Sequence, residues 1–185
     1  MRIIAGIYRS RALAAPPGMA TRPTSDRLRE TLFNILAPRL EGAAFLDLYA
    51  GSGAVGLEAF SRGARPVTFV ERAPPALKTL RANLAALGIE SGFRVQPGSV
   101  VPFLRGCGRN CFDVVFLDPP YDAETEYETA LGLLGGMSLG ALAAGAVVIA
   151  EHRRKQRLED AYGSLARTRL LEQGDAALSF YAAST

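Results

Sequence analysis

The chain has 185 residues, 49% of them apolar and 21% charged, which suits one domain with a real core and excludes disordered or fibrous compositions. Two cysteines, Cys107 and Cys111, exclude a disulfide-dense scaffold, and with His152 the lone histidine they cannot complete a metal site, so no metal is expected and both read as thiols of a reducing compartment. The formal charge of +3 is unevenly spread: residues 1 to 40 hold seven arginines against Asp26 and Glu30, a net of +5, and this one-sided basic segment points to a polyanion surface.

Residues 1 to 15 alternate loosely and end at Pro16-Pro17-Gly18, which predicts a short hairpin holding its arginines outward. It is too small to fold alone. Arg2, Arg9 and Arg11 give this end the flavour of a transit peptide, but Tyr8-Arg-Ser-Arg11 interrupts any secretory apolar region, so a cytoplasmic protein without a signal is expected. Thr24, Ser25 and Asp26 offer N-cap side chains, and Leu28, Leu32, Ile35 and Leu36 follow with helical spacing. Arg27, Glu30 and Asn34 lie on the opposite face, and Pro38 follows the helix.

From residue 43 the pattern is strand, turn, helix, repeated. Strands are predicted at Ala43 to Leu48, Val67 to Val70, Phe93 to Gln96, Asp113 to Leu117 and Ala146 to Ala150. A last antiparallel pair is predicted near Leu165 to Leu171 and Ala177 to Ala182, across Gln173-Gly174-Asp175. The alternation implies a mostly parallel sheet with helices on both faces, an α/β Rossmann-like domain, with residues 1–40 as a basic hairpin and helix packed on a core at 41–185. The longest apolar run, Leu142 to Ala150, is far short of the roughly 20 residues a membrane span needs.

Gly51-x-Gly53-x-x-Gly56 lies between a strand and a helix, with Glu71 at the end of the next strand to meet a ribose hydroxyl. That fingerprint alone does not choose between NAD and other adenosine cofactors. Asp47, just before the loop, decides more: a carboxylate there would repel a pyrophosphate but suits a cationic amino-acid end such as that of S-adenosylmethionine. The expected cofactor set is Asp47, Tyr49, Ala50, Gly51, Ser52, Gly53, Glu71 and Arg72. Ser99 joins it where many such sheets place an acid, and its hydroxyl accepts a hydrogen bond less strongly than a carboxylate.

Asp118-Pro119-Pro120-Tyr121 stops the fourth strand, because prolines cannot continue a ladder. The exocyclic amine of a nucleobase is a poor nucleophile because its lone pair is delocalised into the ring. Two acceptors aimed at its hydrogens, the Asp118 carboxylate and the Pro119 carbonyl, favour a pyramidal nitrogen, and the prolines hold that carbonyl in place. Tyr121 offers a ring face for an unstacked base. The chemistry expected is direct methyl transfer to an amine.

Together Asp-Leu-Tyr-Ala-Gly-Ser-Gly from Asp47, the Asp-Pro-Pro-Tyr loop, Arg2-Ile-Ile-Ala-Gly6 and above all Arg22-Pro-Thr-Ser-Asp-Arg-Leu-Arg-Glu-Thr-Leu-Phe-Asn34 resemble the RsmD family over nearly the whole chain. Its members are bacterial methyltransferases acting on guanine N2 of 16S ribosomal RNA. The resemblance implies a seven-stranded sheet with the last strand antiparallel, S-adenosylmethionine as donor, and a partly or fully assembled 30S particle as substrate for a monomer. It also implies that Arg22, Thr24, Arg27 and Arg29 border the active site and contact RNA, while the charge asymmetry adds Arg2, Arg9 and Arg11 to the RNA surface. Arg153, Arg154, Lys155 and Arg157 are further candidates, whereas His152 reads as structural. The competing readings are a DNA amine methyltransferase, which would lack a target-recognition domain, and a non-catalytic RNA-binding assembly protein. An NAD-linked dehydrogenase is disfavoured by Asp47.

Overall fold

The computed structural model describes residues 1–16, 25–120, 124–136 and 140–183. Its helix α1 (Asp26–Leu36) starts where Ser25 Oγ accepts the Leu28 N–H at 3.1 Å, an N-cap that meets an otherwise unpaired first-turn donor. The repeat predicted from residue 43 follows as β1 (Phe45–Leu48), α2 (Ala54–Ser61), β2 (Val67–Glu71), α3 (Pro74–Leu87), β3 (Phe93–Pro97), α4 (Val100–Gly106), β4 (Phe112–Leu117), α5 (Glu124–Gly135) and β5 (Leu142–Arg153). The chain closes with β6 (Ala161–Tyr162), β7 (Leu165–Gln173) and β8 (Ala176–Ala183).

These strands form one sheet in the order β3-β2-β1-β4-β5-β8-β7-β6. The first five are mutually parallel, and β8 runs antiparallel between β5 and β7. Strand alternation divides the core. Phe45, Phe69, Phe116 and Ile149 face α1, α2 and α3, while Leu48, Val70, Leu117 and Val148 face α4 and α5.

The expected seven strands are corrected to eight. The additional strand is the two-residue β6, folded back by Gly163 (φ 59°) so that Tyr162 pairs with Leu165. Tyr162 also packs edge-on against the Tyr181 ring at 5.7 Å, whose hydroxyl donates to the Glu159 carbonyl at 3.0 Å. The predicted N-terminal hairpin forms: Arg2 bridges Ala12, and the Ile3, Ser10 and Leu13 N–H groups donate across it to the Arg11, Ile3 and Met1 carbonyls at 2.9 to 3.0 Å, while Ile4, Ala5 and Tyr8 tie it to α2.

Strand order reverses between β1 and β4, so the carboxyl ends of these two strands flank a crevice where ligands of open α/β sheets bind. Asp47 pairs in register with Phe116, two residues before Asp118. The two sequence signatures are thereby brought side by side.

Candidate active site

A cavity of about 700 Å³ opens at that crevice. Its walls include Asp47, Tyr49, Ala50, Gly51, Ser52, Glu71, Arg72 and Ser99 from the predicted cofactor set, and Asp118, Pro119 and Pro120 from the fourth strand end. Gly53 shapes the loop from behind: it takes a left-handed φ of 81°, and a side chain there would overlap Leu80.

Asp47 is 2% exposed, and its Oδ2 accepts the Gly56 N–H at 2.8 Å. Burial pushes its carboxyl up to about 7, with the Gly56 hydrogen bond opposing and the Glu71 charge adding to the rise. No lysine or arginine among the described residues forms a salt bridge with it. A buried carboxylate on a cavity wall without a countercharge suits a cationic ligand group.

Glu71 folds the loop around itself. Its Oε2 accepts the Gly51 N–H and its Oε1 the Ala73 N–H, both at 2.7 Å. One lone pair on each oxygen remains for a ribose hydroxyl. Arg72 forms an ion pair with Glu126 of α5 at 3.3 Å. Tyr49, at a left-handed φ of 62°, bonds the same Glu126 through its hydroxyl, and burial with that negative neighbour pushes the phenol pKa upward. Glu126, Thr125 and Thr129 of α5 also line the cavity and were not foreseen, for α5 carries no motif at these positions. Ser99 caps α4 without a side-chain bond, which leaves its hydroxyl for a ligand.

The Asp118 carboxyl is pushed well above the usual range by burial, and then by the negative charges of Glu151 and Asp47. Glu151 follows Ala150, the register partner of Leu117, so it stands beside Asp118 at the end of the neighbouring strand. Tyr121 lies outside the described residues, as do Arg22 and Thr24.

The basic residues separate into different environments. Arg27 is exposed, as are Arg2, Arg9 and Arg11. Arg11 donates to the Ala86 carbonyl at 2.7 Å and Ile7 N–H to the Ser61 carbonyl at 2.9 Å, so this turn sits at the far ends of α3 and α2, away from the cavity. Arg29 is corrected: it is 0% exposed and cannot reach RNA. It donates to the Arg2 carbonyl at 2.5 Å and to Asp26 at 2.9 Å, with Nε 3.9 Å from Glu58. Burial lowers its pKa, opposed by Asp26 and Glu58.

Glu58 itself was missed. Its oxygens accept Ile4 N–H at 2.7 Å, Ala5 N–H at 3.0 Å and Arg62 Nε at 2.7 Å. The signal was present in Ala-Val-Gly-Leu-Glu-Ala-Phe-Ser, where one acid stands in a helix apolar on every side. This clasp carries the N-terminal segment past α2, and Met1, Ala15 and Pro16 complete the cavity wall. His152 is buried, with its ring nitrogens 2.9 Å from Ser179 Oγ and the Arg153 carbonyl, and burial lowers its pKa. Among the described residues no group of His, Cys, Asp and Glu could hold a metal ion, and no helix is long and apolar enough to cross a membrane.

A family model described as Conserved hypothetical protein 95 matches residues 1–182. YlbH of Bacillus subtilis, described as a candidate rRNA methyltransferase, is 34% identical over 183 residues, 98% of each chain. Ribosomal RNA small subunit methyltransferase D of Haemophilus influenzae is 43% identical over 136 residues, 72% of this chain and 70% of that one. The solved structure of Escherichia coli yhhF, described as a candidate methyltransferase, superposes with a TM-score of 0.86 at 35% identity, covering 100% of this chain and 98% of the other. The chain therefore belongs to the Conserved hypothetical protein 95 family, and is an S-adenosylmethionine-dependent methyltransferase related to the RsmD group of rRNA methylases.

Proposed function

We propose that the protein methylates the exocyclic N2 of a guanine in 16S ribosomal RNA of the small subunit. The observation that carries this reading is the meeting, in one cavity, of the Asp47 and Glu71 strand ends with Asp118, Pro119 and Pro120. A likeness to the small-subunit methyltransferase of Haemophilus influenzae supports the choice of RNA, as does the basic N-terminal segment.

Asp47 would face the cationic amino-acid end of the cofactor and Glu71 its ribose, with Tyr49, Ala50, Gly51, Ser52 and Gly53 forming the loop between them. Arg72 and Ser99 would border the adenosine. Bound S-adenosylmethionine supplies an electrophilic methyl group. The Asp118 carboxylate and the Pro119 carbonyl accept the hydrogens of the incoming amine and turn its lone pair toward the methyl carbon. Pro120 stiffens that carbonyl, and Tyr121 stacks on the base. As the N–C bond forms and the sulfur–methyl bond breaks to leave a neutral thioether, the amine would become cationic, its proton then passing to Asp118. The raised affinity of this carboxyl for protons suits it to receive one.

Arg22, Thr24 and Arg27 would hold the RNA near the cavity, and Arg2, Arg9 and Arg11 would meet phosphates of the particle remote from it, beyond the far ends of α2 and α3. The partner is a partly or fully assembled 30S particle, the enzyme acts as a monomer, and such a substrate belongs to the cytoplasm. The test incubates the protein with labelled S-adenosylmethionine and, separately, naked 16S RNA, 30S particles from an unmodified strain, and duplex DNA. Label in either RNA substrate and none in DNA is expected; label only in DNA would refute the reading in favour of a DNA amine methyltransferase.

A further inference from the structure

Asn83, on the buried face of α3, touches both walls of the cavity through hydrogen bonds. It is 2% exposed. Its Oδ1 accepts the Ala14 N–H at 2.8 Å while its Nδ2 donates to the Ala14 carbonyl at 3.1 Å, so the side-chain amide pairs with the N-terminal segment as a neighbouring strand would. The same Nδ2 donates to the Ser52 carbonyl at 2.9 Å, inside the glycine loop. Both amide hydrogens are thus committed, one to each wall.

The placement of these bonds matters for function. Ser52 lines the cavity from the glycine loop, and Ala15 and Pro16, next after Ala14, line it from the N-terminal segment. The loop is compact, with Gly53 N–H donating to the Ala50 carbonyl at 2.7 Å and Gly51 held by Glu71. The helix beneath is rigid: Leu80, Leu84 and Leu87 anchor α3 in the core. Asn83 is therefore a fixed post between two segments of backbone.

We propose that Asn83 is a positioning residue that holds the N-terminal strap in register with the cofactor loop, so that filling the cofactor site also orders the strap at the cavity mouth. Its chemistry is specific. Aspartate at this position has the same size and can accept the Ala14 N–H, but it has no donor for the two carbonyls. Alanine has neither group. The inference rests on the cofactor assignment and is independent of the guanine reading. By linkage, a ligand that steadies the loop steadies whatever shares its hydrogen bonds.

The test follows amide hydrogen exchange by NMR in the full chain, with and without saturating S-adenosylhomocysteine, whose binding is checked by calorimetry. In the wild-type protein the ligand should slow exchange at Gly53 and also slow it at Ala14, by about tenfold or more. In Asn83→Asp the ligand should still slow Gly53 while Ala14 no longer responds. With folded Asn83→Asp enzyme the KM for the RNA substrate should rise more than kcat falls. A purely structural asparagine would lower thermal stability and leave that split unchanged. The inference is overturned if Ala14 in the wild type ignores a ligand whose binding heat is measured, or if Ala14 responds equally in Asn83→Asp. Should the variant not fold, the wild-type comparison alone decides. Absence of binding heat would overturn the cofactor assignment, and this inference with it.

Discussion

Replacing Glu58 by alanine tests how the basic N-terminal segment is attached. Glu58 and Arg29 are both fully buried, and the Glu58 carboxylate accepts two backbone N–H groups from Ile4 and Ala5 and one from Arg62. Its removal strands three donors and leaves the Arg29 guanidinium with only the half-exposed Asp26 as countercharge. Breaking one partner of a buried ion pair costs about 3–5 kcal/mol. At about 2–4 °C per kcal/mol for a chain of this size, the melting temperature should fall by roughly 6–20 °C. The assay is thermal unfolding followed by circular dichroism, in a cycle with Arg29→Met and the double variant Arg29→Met/Glu58→Ala. The double variant should lose about 1–3 kcal/mol less than the sum of the two single changes. A Glu58→Ala protein melting within about 2 °C of wild type would refute the clasp, since no buried pair of that worth could have been broken. A second result would also count against it. If folded Arg29→Met loses as much RNA affinity as Arg27→Ala, then Arg29 meets RNA after all.

Three further changes probe the cavity. Asp47 is protonated below and ionised above about pH 7 in the ligand-free protein, so affinity for the cationic cofactor should rise about tenfold from pH 6 to pH 8 by calorimetry, and Asp47→Asn should flatten the profile. The same raised pKa makes this carboxyl's contribution to the stability of the ligand-free fold complete below about pH 4 and lost as pH rises through about 7, a trend the cofactor should oppose. Asp118→Ala should lower kcat by about 10²–10⁴-fold with little change in cofactor affinity, measured by single-turnover methylation and calorimetry; a large loss of cofactor binding would show that Asp118 belongs to the donor site. Gly56→Ala should cost about 1–3 kcal/mol and weaken cofactor binding, because the added carbon overlaps the Phe69 ring and comes within 3.0 Å of the Asp47 carboxylate; unchanged stability would mean that Phe69 yields freely.

The parts of the site legible in the sequence are those whose chemistry is local. The Gly51-Gly53-Gly56 loop announces a tight strand-to-helix turn, and Asp118-Pro119-Pro120 must end a strand wherever it occurs. Once the strands are parallel, both motifs fall at carboxyl ends, and the reversal of order between β1 and β4 makes them neighbours. What could not be read depended on contacts distant in the chain. Arg29 shares a helix with exposed Arg27, and only the docking of Ile4 and Ala5 on Glu58, more than fifty positions away, covers it. Asn83 looks like one polar residue beside a leucine stripe until Ala14 and Ser52 are found against it. Helix α4 has seven residues with Pro102 in its first turn, and β6 has two, both too short for a periodic signal. Glu126 meets Arg72 only because α5 packs over the cavity.

On the proposed function the two strand-end signatures serve transfer of a methyl group to guanine N2. It is tested most directly by digesting the labelled RNA product to nucleosides and identifying the modified one, with Asp118→Ala run in parallel. The wild-type protein should yield N2-methylguanosine and the variant almost none; label in N6-methyladenosine, or equal label from both proteins, would rule that function out.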